Sequence, residues 1–303
     1  MTKFLLDSGD PREYKEIIKL AKEHNSEIWG ATTNPTLIAK NLAGKKFTRE
    51  EAFNLQKKIV IEILNLVPGA VSAEVYADET TTAQEMIEQG EEIASWDKRI
   101  YVKLPTTIES FKARTALRKK NISINNTLVF SQQQIFAIAL HERIIRKTHN
   151  NIRSEWPQFI SPFIGRLDDN GRNGIRLIGH GMKIKALPAG RQGKSTWMLS
   201  ASIRTIEHIG QSINAGAEII TSPAKVYRQW FTLTPGQKNA LKKTSPAKGL
   251  KDITFWQPPK KLEKITTIEE FMQVIQTNRL DIHHPLTDSG IERFAADWKS
   301  ILI

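Results

Sequence analysis

Residues 99–106 read Arg-Ile-Tyr-Val-Lys-Leu-Pro-Thr, RIYVKLPT. Ile100, Tyr101, Val102 and Leu104 make a short apolar run, rich in β-formers, which reads as a buried strand. Lys103 stands at its far end. A lysine there either snorkels to solvent or serves a pocket at the strand end, and the rest of the chain decides between the two.

Seven further runs of the same kind recur along the chain: KFLLD (3–7), EIWGATT (27–33), AVSAEV (70–75), ISINNTLVF (122–130), FISPFIG (159–165), TWMLSAS (196–202) and EIITS (218–222). Most are too short to be helices. Between them lie helical patterns. REEAFNLQKKIVIEILNL (49–66) has apolar residues at helical spacing, TTTAQEMIEQGEEIASW (80–96) opens on threonines that can cap a helix, and SQQQIFAIALHERIIRK (131–147) is a third. Eight strands alternating with helices predict a parallel sheet, closed into a (β/α)8 TIM barrel. The alternative, an open doubly wound sheet, would usually carry a glycine-rich phosphate loop after its first strand. DSGDPREY (7–14) has no such pattern.

After about residue 225 the rhythm changes. TTIEEFMQVIQT (266–277) predicts a helix with a capping box from Thr267 and Glu270, and DIHHPLTDSGIERFAADW (281–298) predicts a last one. The expected organisation is a single domain, 1–303. The barrel occupies about 1–232, and a basic loop with a C-terminal helical extension occupies about 233–303.

The chain has 303 residues, 40% of them hydrophobic and 25% charged, as in an ordinary soluble globular protein. It has no cysteine, which excludes disulfides and Cys-ligated metals. MTKFLLDSGD has too short an apolar run for a signal peptide, and no run is long enough to span a membrane. The expected location is cytoplasmic. The net charge is +12, and residues 236–264 hold eight lysines against Asp252 and Glu263, a local +6. No nucleic-acid motif accompanies them, so a solvated loop is preferred over a nucleic-acid surface.

In a barrel of this kind the working residues stand at the C-terminal strand ends. Those ends carry Asp7, Asn34, Glu74, Lys103, Asn125 with Thr127, Ser161 with Arg166, and Ser202 with Arg204. Each alone has a dull explanation: Asp7 could cap the next helix, and Asn34 before Pro35 could mark a turn. Together they suggest amine catalysis. A neutral lysine attacks a ketone and forms a Schiff base. Its usual pKa of about 10.4 must then fall towards roughly 7–8. Apolar walls such as Tyr101, Leu104 and Phe163 would drive that fall by desolvation. Asp7 is suited to take a proton from the substrate hydroxyl, and Glu74 to move protons through water. Arginines with a serine suit a phosphate.

GATTNPTLI (30–38), AEVYADE (73–79), VKLPTT (102–107), NNTLVFS (125–131), ISPFIGRLDD (160–169) and MLSASIRT (198–205), in this order, resemble the transaldolase family. The final helix resembles that family's C-terminal helix. The resemblance implies a Schiff-base barrel of the non-oxidative pentose phosphate pathway. Such an enzyme moves a dihydroxyacetone unit between sugar phosphates and uses no cofactor and no metal. It also implies roles: Lys103 as the Schiff-base lysine, Asp7 in proton transfer, and Glu74 with Thr127 on the catalytic water. Asn34, Asn125 and Ser161 would hold the dihydroxyacetone hydroxyls, and Arg166, Ser202 and Arg204 the phosphate. Expected partners are therefore sugar phosphates, not a membrane or nucleic acid, and there is room for a homo-oligomer, a dimer or larger. The related fructose-6-phosphate aldolase group, which releases free dihydroxyacetone, has glutamine where Glu74 stands and tyrosine where Phe163 stands. A third reading is a basic binding protein on a barrel that has lost its activity.

IGHGMKIKALPAGRQGKST (178–196) departs from the family pattern: Gly181, Pro188, Gly190 and Gly193 argue against a full helix leading into the seventh strand. GRQGKS (190–195) brings a P-loop to mind, but Pro188 occupies the position of its first glycine. His283 and His284 are adjacent and point different ways, so they predict a turn before Pro285 in place of a metal site.

Overall fold

The computed structural model describes residues 2–42, 44–149, 156–189 and 195–303. Its elements begin β1 (Lys3–Asp7), α1 (Pro11–Glu23), β2 (Gly30–Thr32), α2 (Pro35–Asn41), α3 (Arg49–Leu64), β3 (Val71–Glu74), α4 (Ala83–Ser95), β4 (Ile100–Leu104), α5 (Ile108–Lys119), β5 (Ser123–Val129) and α6 (Gln132–Thr148). They continue β6 (Gln158–Pro162), α7 (Ile164–Asp169), α8 (Gly174–Ala189), β7 (Thr196–Ser200), α9 (Ile206–Asn214), β8 (Ile219–Ser222), α10 (Ala224–Phe231), α11 (Pro235–Lys242), α12 (Lys260–Glu263), α13 (Ile268–Gln276) and α14 (Pro285–Lys299). All eight strands are parallel, and β1 pairs with β8 to close the barrel. The fold is a (β/α)8 TIM barrel with C-terminal helices.

Polar residues set the helix starts. Thr48 with Glu51, Thr82 with Glu85, and Ser131 with Gln134 form complete capping boxes. Asp10, not Asp7, caps α1, which leaves Asp7 free of that duty. Thr267 accepts from the Glu270 amide, but the Glu270 carboxylate reaches the Thr266 N–H, so the box expected there is only half made.

Inside the barrel, side chains alternate along each strand and stack in layers. The lower layer is aromatic. Tyr101 stacks on Phe159 at 4.0 Å, Phe159 on Trp197 at 6.2 Å, and Trp29 meets Trp156 and Trp197 edge-on. This apolar plug fills the N-terminal end. The polar layer above it lies at the opposite end, where the loops are.

One expectation fails here. Residues 174–189 form a continuous helix, α8, where glycines and a proline argued against one. Gly181 serves packing: a Cβ there would fall 2.7 Å from Ile135 Cδ1 and 2.8 Å from Met198 Cε. The glycine lets α8 sit close on α6 and β7, and that burial outweighs its weak propensity. Most of the GRQGKS stretch (190–194) lies outside the described residues.

The C-terminal part is more than an appendage. α14 packs on α2 and β5 at the loop end of the barrel. Thr287 donates to the Leu128 carbonyl at 2.9 Å, and Gln134 donates to Thr287 at 3.0 Å. Phe47 pairs with Leu302 as a short parallel bridge. His284 caps α14, which accounts for the expected turn. In the lysine-rich stretch, Lys243, Lys248, Lys251, Lys260, Lys261 and Lys264 are exposed, while Leu262 and Ile265 are buried and tie it down.

Gly179 and Gly181 separate helix propensity from packing. A Cβ at Gly179 meets nothing within 4 Å, so Gly179→Ala should stabilise by about 0.5–1 kcal/mol. Gly181→Leu should cost about 1–3 kcal/mol through overpacking. Urea unfolding midpoints check both, and a Gly181→Leu protein as stable as wild type would contradict the packing account.

Candidate active site

The strand register sets the floor of the site. Glu74 on β3 lies opposite Lys103 on β4, and Lys103 lies opposite Asn125 on β5. All three share a parity, so they enter the barrel at one level. The Lys103 ammonium is 2.8 Å from Glu74 Oε2 and donates to the Thr33 carbonyl at 2.8 Å. Both side chains of the pair are 4% exposed. Asn125 donates to Ser72 Oγ at 3.0 Å and accepts from Ser161 Oγ at 2.6 Å, which fixes its amide orientation.

The apolar walls expected around Lys103 stand at different levels of the barrel. Tyr101 belongs to the lower layer and donates to the Trp156 carbonyl at 2.8 Å. Leu104 follows Lys103 directly and so faces the other side of the strand. The ammonium instead meets a carboxylate and a carbonyl. Phe163 lines the cavity at its rim.

Asp7 enters from β1, across the barrel. Thr32 donates to it at 2.7 Å and shares a 2.6 Å hydrogen bond with Thr221, so three strands hold this carboxylate. Burial pushes the Asp7 carboxyl above its ordinary value, and the charge of Lys103, the Thr32 hydrogen bond and the charge of Arg204 oppose the rise. Glu74 is also raised by burial, with Lys103 as the main opposing influence. Two acids that hold their protons more tightly than usual thus flank one lysine.

Local backbone strain aims the remaining groups. β5 has a register irregularity between Asn126 and Val129, with Leu128 at φ 54°. The adjacent Thr127 hydroxyl is buried, lines the cavity and has no hydrogen-bond partner among the described residues. Ser202 sits at φ 60°. A Cβ on Gly165 would fall 2.0 Å from the Ser202 carbonyl, so only glycine admits that turn. Asn34 caps α2 by accepting from the Leu37 N–H at 2.9 Å, which leaves its amide nitrogen for the cavity.

At the rim, the Arg166 guanidinium packs against three rings, 5.6 Å from Phe163, 5.9 Å from Phe294 and 6.0 Å from Phe130. Arg204 pairs with Asp169 at 2.9 Å. The cavity has a volume of about 190 Å³. It brings together every predicted site residue except Glu74, which lies behind Lys103 and touches it. Thr32, Thr36, Thr221, Arg293 and Phe294 also line it, and sequence reasoning had not selected them. Thr32 and Thr221 were readable from strand parity. Arg293 and Phe294 depend on where α14 comes to rest.

The family model described as Transaldolase/Fructose-6-phosphate aldolase matches residues 4–303. The chain belongs to this transaldolase/fructose-6-phosphate aldolase family. A probable transaldolase of Caldicellulosiruptor saccharolyticus is 34% identical over 299 residues, covering 99% of this chain and 98% of the relative. Probable transaldolases of Dehalococcoides mccartyi, 32% identical over 300 residues, and Brevibacillus brevis, 31% over 299, each cover 99% of both chains. The family match takes in α14 as well as the barrel. Among the described residues, no helix is long and apolar enough to cross a membrane.

The raised Glu74 gives a pH test. Native Glu74 keeps its proton at pH values where the unfolded chain has lost it, so stability falls as pH rises from the ordinary glutamate value to the raised one. Lys103→Met removes the main opposing charge and extends that window upward. Asp7, also opposed by Lys103, shifts in the same sense. The thermal midpoint of Lys103→Met should fall progressively below wild type as pH rises above the ordinary carboxylate range. Adding Glu74→Gln should reduce the drift, whereas a pH-independent gap would contradict the assignment.

Proposed function

We propose that the protein is a transaldolase. It moves a dihydroxyacetone unit from sedoheptulose 7-phosphate or fructose 6-phosphate to glyceraldehyde 3-phosphate or erythrose 4-phosphate through a Schiff base on Lys103. The observation that carries this reading is the buried Lys103–Glu74 pair, with Asp7 across the barrel, at the floor of a cavity whose rim bears arginines.

Lys103 passes a proton to Glu74, 2.8 Å away, and its free amine attacks the ketone carbon of the donor. The carbinolamine oxygen leaves as water, protonated from the Glu74 side, where Thr127 offers a hydroxyl. The iminium draws electrons from the neighbouring C–C bond. As that bond breaks, Asp7 takes the proton of the C4 hydroxyl and the first aldose phosphate leaves. The three-carbon enamine stays on Lys103, with Asn34, Asn125 and Ser161 around its hydroxyls. It attacks the acceptor aldehyde, Asp7 returns the proton, and water hydrolyses the new Schiff base. Arg166, Ser202 and Arg204 bind the phosphate of donor and acceptor in turn.

Simple aldol cleavage uses the same lysine. Glu74 and Phe163 favour transfer, because the aldolase group carries glutamine and tyrosine at those places. A phenyl ring at the rim has no hydroxyl with which to protonate the enamine or to hold water over it.

Fructose 6-phosphate with borohydride should leave a three-carbon adduct on the peptide bearing Lys103, seen by mass spectrometry after digestion. Lys103→Met should give none. Turnover of fructose 6-phosphate should need an acceptor such as erythrose 4-phosphate. Folded wild-type protein without the adduct would sink the reading, and steady release of free dihydroxyacetone without an acceptor would replace transfer by cleavage.

A further inference from the structure

The rim carries three guanidinium groups, and the third comes from the C-terminal helix. Gly290, Arg293, Phe294 and Asp297 follow the spacing i, i+3, i+4, i+7, which places them on one stripe of α14. Every member of the stripe meets the site. A Cβ on Gly290 would fall 2.7 Å from Arg166 Nη1 and 2.7 Å from Leu128 Cδ2, so the glycine lets Arg166 run beneath the helix. Phe294 closes over the Arg166 guanidinium at 5.9 Å. Asp297 accepts a hydrogen bond from Thr36, which lines the cavity. Arg293 stands within this stripe and lines the cavity itself, with its side chain 64% exposed.

The charges around it are unbalanced. Arg204 has Asp169 at 2.9 Å. Arg293 has a carboxylate, that of Asp297, only at 3.8 Å. Arg166 pairs with no carboxylate among the described residues. Burial lowers the Arg166 pKa, and the charges of Arg293 and then Arg204 lower it further, against smaller opposing pulls from Asp169 and Glu74. Three guanidinium groups on one cavity, only one of them in a close ion pair, suit an anion of more than one charge. A phosphate monoester, with a charge of about −1.5 to −2 at pH 7, fits, and an uncharged hydroxyl does not.

We propose that Arg293 is a third phosphate-binding residue, supplied by α14, and that it makes the site select phosphorylated over unphosphorylated sugars. This rests on the sugar-phosphate reading above. Guanidinium–phosphate hydrogen bonds are charge-assisted, and losing one at an exposed rim weakens binding without touching the chemistry at Lys103.

The test compares wild type, Arg293→Ala and Arg293→Lys by three readouts: KM and kcat with fructose 6-phosphate and erythrose 4-phosphate, the rise in thermal midpoint on adding inorganic phosphate, and borohydride trapping of unphosphorylated dihydroxyacetone on Lys103. In Arg293→Ala, KM should rise about tenfold, kcat at saturation should stay within about twofold, the phosphate-induced midpoint shift should shrink, and dihydroxyacetone trapping should be unchanged. Arg293→Lys should recover part of the KM and of the shift. An unchanged KM with an unchanged phosphate shift overturns the proposal. So does an equal loss of dihydroxyacetone trapping, which would mark a disturbed wall and not a lost phosphate contact. If wild type itself forms no adduct, the transaldolase reading fails, and Arg293 stands or falls on the phosphate titration alone.

Discussion

A lysine and a glutamate, 2.8 Å apart and both 4% exposed, form an ion pair inside the barrel, and the rest of the site is arranged around them. Burying two charges is costly, and removing either partner leaves the other uncompensated. The pair therefore has to be made by adjacent strands in a fixed register. A slip of one residue would turn Lys103 into the outer layer, among the apolar side chains that face the helices. Closure of the sheet adds the third charge. Asp7 reaches the same level from β1 because β1 lies between β2 and β8, and Thr32 and Thr221 on those strands hold it. Tyr14 and Tyr227 steady β1 from outside the sheet. Their hydroxyls lie 3.0 Å from the Leu6 and Ser8 carbonyls and 2.9 Å from the Leu5 carbonyl, respectively.

The working end of the barrel is strained and polar, and the opposite end supplies stability. Leu128 and Ser202 occupy positive φ, at 54° and 60°, which non-glycine residues adopt at some cost. Each sits at a strand end that presents a group to the cavity. Each is also restrained by neighbours: the Leu128 carbonyl by Thr287, and Ser202 by its packing on Gly165. Tyr101, Phe159 and Trp197 make the opposite choice. Their rings stack on one another, and the Tyr101 hydroxyl is satisfied by the Trp156 carbonyl. The barrel axis thus runs from an apolar base to a charged mouth.

The positions of the strands were readable from the sequence because each apolar run is short and ends in a polar residue. Most of the floor followed from the same pattern, since parity along a strand brings alternate residues into one layer. What could not be read depended on contacts between distant segments. Gly181 looks like a helix breaker in sequence and is a packing residue in space, because Ile135 and Met198 come from elsewhere in the chain. Tyr101 looks like a wall of Lys103, two residues away, but lies one layer below it. Arg293 and Phe294 belong to a helix about 190 residues from Lys103. Nothing local marks the stripe of α14 that faces the mouth until Gly290 is seen over Arg166.

α14 also bears on how the site treats water. The helix is held along its length: His284 stacks on Phe130 at 5.4 Å, Thr287 bonds to β5, Asp297 to Thr36, and Lys299 pairs with Asp78 at 3.2 Å. So restrained, it acts as a fixed wall. On the transfer reading that rigidity has a purpose. The enamine left on Lys103 must survive while one aldose phosphate leaves and another arrives, and in that interval a proton or water is the competitor. Phe163 and Phe294 present apolar faces at the entrance, while Glu74 and Thr127, the groups proposed to activate water, lie on the floor. A phosphate bound among the rim arginines would occupy the remaining opening. The same charges that recognise the acceptor would then complete the exclusion of water from the floor, so recognition and protection of the intermediate would be one event.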